Sequence, residues 1–289
     1  MFVLLITFGE CRARVKQTGL TGELIGPGPY FGLKAPGLKP EIFAPGIVSA
    51  PDFGESNCLI WENGNQVMFF RIGVGKLEAI NSGDHWQPLA LSCTWGDSEL
   101  LHCISPDGKT MYYNLFGGLA YGSKPRGIPI YCKRNRNNEW GEGMDTKIRG
   151  MWPAVDAAGN LYYTTGVKGF ACIARVLNQG GKYSEAEILP FSNKENIEFM
   201  HPCIAADGSF IIMDAEKYPH ENGCELYISF KGSDDSWTKP RNMGDCLPLK
   251  NAAMARLSAD NRFIVFQAAD DIYWVNAKIV DKFRPENMK

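Results

Sequence analysis

The chain has 289 residues, a formal net charge of −2, 45% hydrophobic residues and 31 glycines. That length buries a large core, as one big all-β domain or two smaller ones. No basic excess exists to displace counterions from phosphates, which excludes nucleic acid as the partner. The densest basic run, Lys133-Arg134-Asn135-Arg136, is followed by Glu139 and reads as a solvated hairpin tip.

The chain opens on MFVLLITFGEC, an apolar run without a basic flank and far too short to span a membrane. Residues 1–25 read as a degenerate export signal or tail, with Glu10 standing where a lipoprotein signal wants a small residue. A Pro/Gly-rich lead-in, GPGPYFGLKAPGLK (26–39), follows, and then an orphan strand-like segment, PEIFAPGIVSA, beginning at Pro40.

From residue 58 the chain repeats itself. CLIWENGNQVMFF, HCISPDGKTMYY, PAVDAAGNLYYT, PCIAADGSFIIM and ARLSADNRFIVF align on Gly64, Gly108, Gly159, Gly208 and Asn261, which are 44, 51, 49 and 53 residues apart. Asn is the residue besides Gly that tolerates positive φ, so the aligned position selects for backbone conformation. Each turn is flanked by β-rich runs, and a second hairpin follows, with an aromatic (Trp86, Trp140, Tyr183 or Trp237) opening the fourth strand. Four short strands per fifty or so residues is the signature of a β-propeller blade. The fifth unit stops after three strands, and the orphan segment before the first blade supplies the missing one, closing the ring. The expected fold is all-β: one propeller domain (26–289) of five four-stranded blades, with six as the alternative count. Only AKIVDKF (277–283) has a helical period.

The consensus P-x-[IV]-[SA]-x-D-G-x-φ-φ-[FY], with φ apolar, resembles the WD40-like repeat of TolB-type propellers. The lead-in GPYFGLKAPGLKPEIFAPGIVS and the ending DIYWVNAKIVDKFRP are similar to those of a group of exported bacterial propellers. The resemblance covers residues 27–286. It implies a secreted, periplasmic or lipid-anchored propeller, mostly without assigned activity; TolB itself binds protein, through an arrangement that includes a further domain for which this chain has no room.

The Asp-Gly turns each offer one carboxylate and then an apolar strand, whereas a calcium loop alternates several oxygen ligands within about twelve residues. They read as structural turns. Nine cysteines are widely spaced, odd in number and without a CxxC pair, which argues against zinc and leaves one or two disulfides open. Cys58, Cys103 and Cys203 fall in apolar strands as small hydrophobes. No nucleophile elbow, HExxH, P-loop or dinucleotide fingerprint is present, and His85, His102, His201 and His220 lack ligand spacing. His102, in an inner strand, reads as a satisfied core histidine. No metal and no cofactor is expected.

In a propeller the loops leading into each blade, and those joining second and third strands, surround the channel mouth opposite the turn glycines. The leading loops carry Glu55, Trp95, Asp97, Glu99, Arg149, Trp152, Glu198, His201 and Arg256; the others carry Arg71, Tyr121, Arg126 and His220. The expected site draws on Trp95, Glu99, Tyr121, Arg126, Arg149, Trp152, Glu198 and His201. Trp95, Trp152 and Tyr121 are its apolar anchors, and the insert NLFGGLAYGSKPRG (114–127) is its lip. The expected ligand is a protein, peptide or glycan bound by a monomer without catalysis. The alternative is a carbohydrate-active hydrolase or lyase using Glu55, Glu99 and Glu198, since inverting hydrolysis needs an acid and a base far enough apart to admit water.

Overall fold

The computed structural model describes residues 26–83, 85–87, 89–91, 99–115, 128–136, 139–191, 197–217, 223–247 and 249–288. They form a five-bladed β-propeller. Each blade is an antiparallel sheet whose strands run outward from the axis in chain order, except that the outer strand of the last blade comes from the N-terminal segment. The inner strands are Glu55–Trp61, Glu99–Ile104, Met151–Val155, Ile197–Ile204 and Ala253–Leu257. Each packs on its two neighbours, so they make a closed ring around one axis. Apolar residues fill the wedges between blades, with fully buried Val67, Leu77, Leu161, Ile211, Ile228 and Ile264 among them.

The turn joining the first two strands has the same construction in most blades. The N–H of Gly108, Gly159, Gly208 and Asn261 each returns to the carbonyl three residues earlier. All five aligned positions have positive φ, from +57° at Asn261 to +87° at Gly64. Where an Asp precedes the turn residue, its carboxylate accepts the following backbone N–H: Asp107 from Lys109, Asp207 from Ser209 and Asp260 from Arg262. Those carboxylates hold the hairpin, as the lone-carboxylate argument requires.

Ring closure follows the sequence pattern. Glu41–Ile42 pairs with the third strand of blade 5, Glu41 opposite Trp274 and Ile42 opposite Tyr273. The orphan segment thus supplies the fourth strand of the last blade and leaves no open edge there. The lead-in seals the same seam: Tyr30 and Phe31 are buried with Phe43, Trp86, Phe263 and Trp274. The Tyr30 hydroxyl also donates to Asp260 at 2.6 Å.

One reading needs correction. The repeated aromatics do not open the fourth strands. Trp86, Trp140, Tyr183 and Trp237 pair back onto Asn81, Asn135, Asn178 and Lys231 at the end of the third strand, and the fourth strand begins later. AKIVDKF is a 3-10 helix, Ala277–Lys282, capped by the Asn276 side chain. The seven described cysteines, among them Cys58, Cys103 and Cys203, are all free; Cys11 and Cys93 fall outside the described residues.

Candidate functional site

Each inner strand carries a bulge near its leading end, where two residues oppose one on the second strand. In four blades the first bulged residue has a left-handed backbone: Asn57 (φ +50°), Trp152 (+52°), His201 (+47°) and Met254 (+53°). None is glycine, and such a backbone costs an L-residue roughly 1–2 kcal/mol. A bulge re-aims the side chain it carries.

The cost is offset by struts from the preceding blade. Asn114, Thr164 and Asp214 are fully buried at equivalent places on the second strands of blades 2, 3 and 4. Their side-chain oxygens accept the bulge N–H of the next blade: Trp152 into Asn114, His201 into Thr164 and Met254 into Asp214. Asp214 does a second job, its carboxylate oxygens lying 2.8 and 3.0 Å from His201 Nδ1, which makes Nδ1 the protonated nitrogen. The sequence reading stopped at the apolar core of these strands. The available signal was the polar residue just after it, in YYN, YYT and IMD.

Trp152 and His201 meet across the seam of blades 3 and 4, ring centroids 3.9 Å apart. Trp152 remains partly exposed, while His201 is 6% exposed. Deeper along the axis lies Arg256, 4% exposed. It is inside the inner strand of blade 5, not in a leading loop, at the repeat position held by Leu59, Cys103, Ala154 and Cys203 in the other blades. Its Nε donates to the His102 carbonyl of blade 2 at 2.7 Å, reaching past blade 1, and one Nη donates to the Ala255 carbonyl. Blades 5 and 2 are not neighbours, so the guanidinium spans the channel and plugs it.

His102 is a core histidine, as expected, but not a satisfied one. Neither ring nitrogen has a hydrogen-bond partner, nor does His201 Nε2 or Arg256 Nη2. The Asn114 side chain acts on the His102 ring only as a weak, poorly aligned hydrogen bond; its NH2 group serves the carbonyls of Pro129 and Gly150, and its oxygen accepts the Trp152 N–H. Burial, then Arg256 and His201, hold His102 well below the ordinary histidine range, so the ring is neutral. Burial also pushes the Cys103 and Cys203 thiols up, to about 12 and about 11, leaving them inert. His102, His201, Cys103 and Cys203 are the donor types of a zinc site, but no three such groups converge among the described residues.

The other predicted site residues scatter. Glu55 is fully buried against Arg71, Nε to Oε1 at 2.7 Å. Arg71 is the last residue of the second strand, not a loop residue, and its Nη2 donates to the carbonyls of Ile47 and Val48. This pair fastens the N-terminal closing segment to blade 1; burial raises the Glu55 pKa, and Arg71 opposes that shift. Glu198 accepts the Ala171 N–H at 2.8 Å and braces blade 4 on blade 3. Arg149 ends the fourth strand of blade 2 and is paired with Asp145 at 2.9 Å. Glu99 starts the inner strand of blade 2, opposite Leu115. Trp95, Tyr121, Arg126 and His220 lie outside the described residues.

The clearest grooves are on the opposite face, between the turn arms of adjacent blades. One of about 650 Å³ separates blades 2 and 3, bordered by Asp107, Tyr112, Arg134, Asp156 and Tyr183. One of about 680 Å³ separates blades 1 and 2. Nothing in the repeat signalled them, because they arise from how blades splay.

No protein-family model matches the chain, and no curated protein does. Solved structures that match include the TolB candidate of Agrobacterium tumefaciens, at 15% identity over 64% of this chain and 65% of that one, TM-score 0.42. TolB from Acinetobacter baumannii matches at 13% identity over 78% and 50%, TM-score 0.42. MPT-4, a mannose phosphorylase from Leishmania mexicana in complex with a phosphate ion, matches at 10% identity over 92% and 91%, TM-score 0.44. The chain thus spans 65% and 50% of the two TolB-type proteins. The propeller assignment rests on the strand pairing itself. No helix among the described residues is long and apolar enough to cross a membrane.

Proposed function

We propose that this propeller is a non-enzymatic binding protein, exported and monomeric, that takes a protein, peptide or glycan at the leading-end mouth of its channel. The observation that carries this reading is the Trp152–His201 ring contact, tilted by 48°. A partly exposed indole is held at a strained backbone, locked by a buried strut from the neighbouring blade and backed by a second ring. A rigid aromatic of that kind supplies contact area at low entropic cost, which is what an anchor in a binding site needs. Arg256 behind it makes the channel blind, so the mouth is a funnel with a floor and not a pore. Trp95, Glu99, Tyr121, Arg126 and Arg149 belong to the rim in this reading.

Hydrolysis by Glu55, Glu99 and Glu198 is less well supported. Glu55 is sealed in an ion pair and Glu198 holds a backbone N–H, so two of the three acids already have structural work. The test is a screen of immobilised glycans and a displayed peptide library against the wild type and Trp152→Ala, with melting temperature as the folding control. Hits weakened at least tenfold by Trp152→Ala in a folded protein support the funnel. Hits indifferent to that change would move the site elsewhere, and turnover of a hit abolished by Glu99→Gln would replace binding with catalysis.

A further inference from the structure

The plug itself poses a chemical problem. Arg256 is 4% exposed and its hydrogen bonds go to two backbone carbonyls, not to a carboxylate. An enclosed cation is costly unless an opposite charge accompanies it. The carboxylate closest in character is Asp214, electrostatically coupled to Arg256, but its oxygens are engaged by His201 Nδ1 and the Met254 N–H. One guanidinium nitrogen, Nη2, is left with no partner. Neutral His102 adds one N–H without a well-formed hydrogen bond in the same neighbourhood, since its carbonyl is the atom Arg256 grips and the guanidinium acts on its ring.

We propose that the channel axis holds one small inorganic anion, of halide size, bound by Arg256 Nη2 and the ring N–H of His102. A single-atom anion suits the place because Arg256, His102 and His201 are each at most 6% exposed. It sits on the His102 side of the guanidinium. His201 Nε2 carries a lone pair while the ring is neutral, because Nδ1 holds the proton toward Asp214, so that nitrogen repels an anion and faces the channel through a donor such as water. The blade repeat explains why one site forms and not five. The other four blades place Leu59, Cys103, Ala154 and Cys203 where blade 5 places arginine. This inference does not depend on what the funnel binds.

Two measurements test it on the full chain. Thermal unfolding is followed while sodium gluconate, whose anion is too large for the enclosed axis, is replaced by sodium bromide at constant ionic strength. Wild type should gain stability saturably, by roughly 3 °C at ten times the dissociation constant. Arg256→Leu, which copies Leu59 of blade 1, should show no bromide response. Crystals grown in bromide should give an anomalous peak on the axis, within hydrogen-bond reach of Arg256 Nη2. An ordered water there without anomalous signal, or the same bromide response in Arg256→Leu, overturns the proposal. Should that variant not fold, the wild-type anomalous map decides alone.

Discussion

The inner strands carry two rings of left-handed residues, one at each end, and the two rings obey different rules. At the turn end the ring is Gly64, Gly108, Gly159, Gly208 and Asn261. At the leading end it is Asn57, Trp152, His201 and Met254. The turn ring is filled by residues that visit positive φ cheaply, because the side chain has no task there. The bulge ring keeps large side chains in the same strained region, which persists only where the surroundings over-determine it. Here the surroundings are Asn114, Thr164 and Asp214. Backbone selects the residue at one end; the neighbouring blade imposes the backbone at the other.

The largest expected effect comes from removing a strut. Asp214→Ala strands His201 Nδ1 and the Met254 N–H in a fully buried place, and should cost about 3–5 kcal/mol in urea unfolding, as loss of one buried partner does. A loss under about 1 kcal/mol would mean that the bulges do not depend on the preceding blade. The turn ring separates next. A Cβ at Gly64 (φ +87°) would overlap the Tyr30 ring, whereas one at Gly208 (φ +72°) meets nothing nearer than Asp156 Oδ2 at 3.5 Å. Gly208→Ala should cost about 1–2 kcal/mol, the backbone term alone, and Gly64→Ala clearly more. Equal costs would deny the lead-in its part in sealing the ring.

The smallest effect compares two replacements at one bulge. Trp152→Gly should be more stable than Trp152→Ala by about 1 kcal/mol, because φ +52° strains alanine and not glycine. In an ordinary strand the order reverses, glycine losing by roughly 0.5–1 kcal/mol. Melting curves of the two variants therefore read the bulge strain directly, by sign.

How far the sequence reached follows the same divide. The Asp-Gly and Asp-Asn turns were legible because the residue types and the conformation they adopt lie within a few positions of each other. Ring closure was legible because a three-stranded last unit and an orphan strand are both visible in one dimension. Trp152 and His201 were found by counting back from the turns, but their contact was not. Arg256 was counted into a leading loop and His102 into a contented core. Spacing cannot show that an arginine reaches a carbonyl 154 residues away. Likewise Glu55, Glu99 and Glu198 look equivalent along the chain, yet Glu55 is locked to Arg71 and Glu198 to Ala171.

By itself the sequence determined the repeat, the five turn conformations and the way the circle closes. Those depend on local backbone preference and on a periodic apolar pattern. Only the tertiary structure decided which polar side chains are struts, which strand residue plugs the channel and where buried donors go unmet. Each of those is a meeting of blades far apart in the chain, fixed by the geometry of the closed ring.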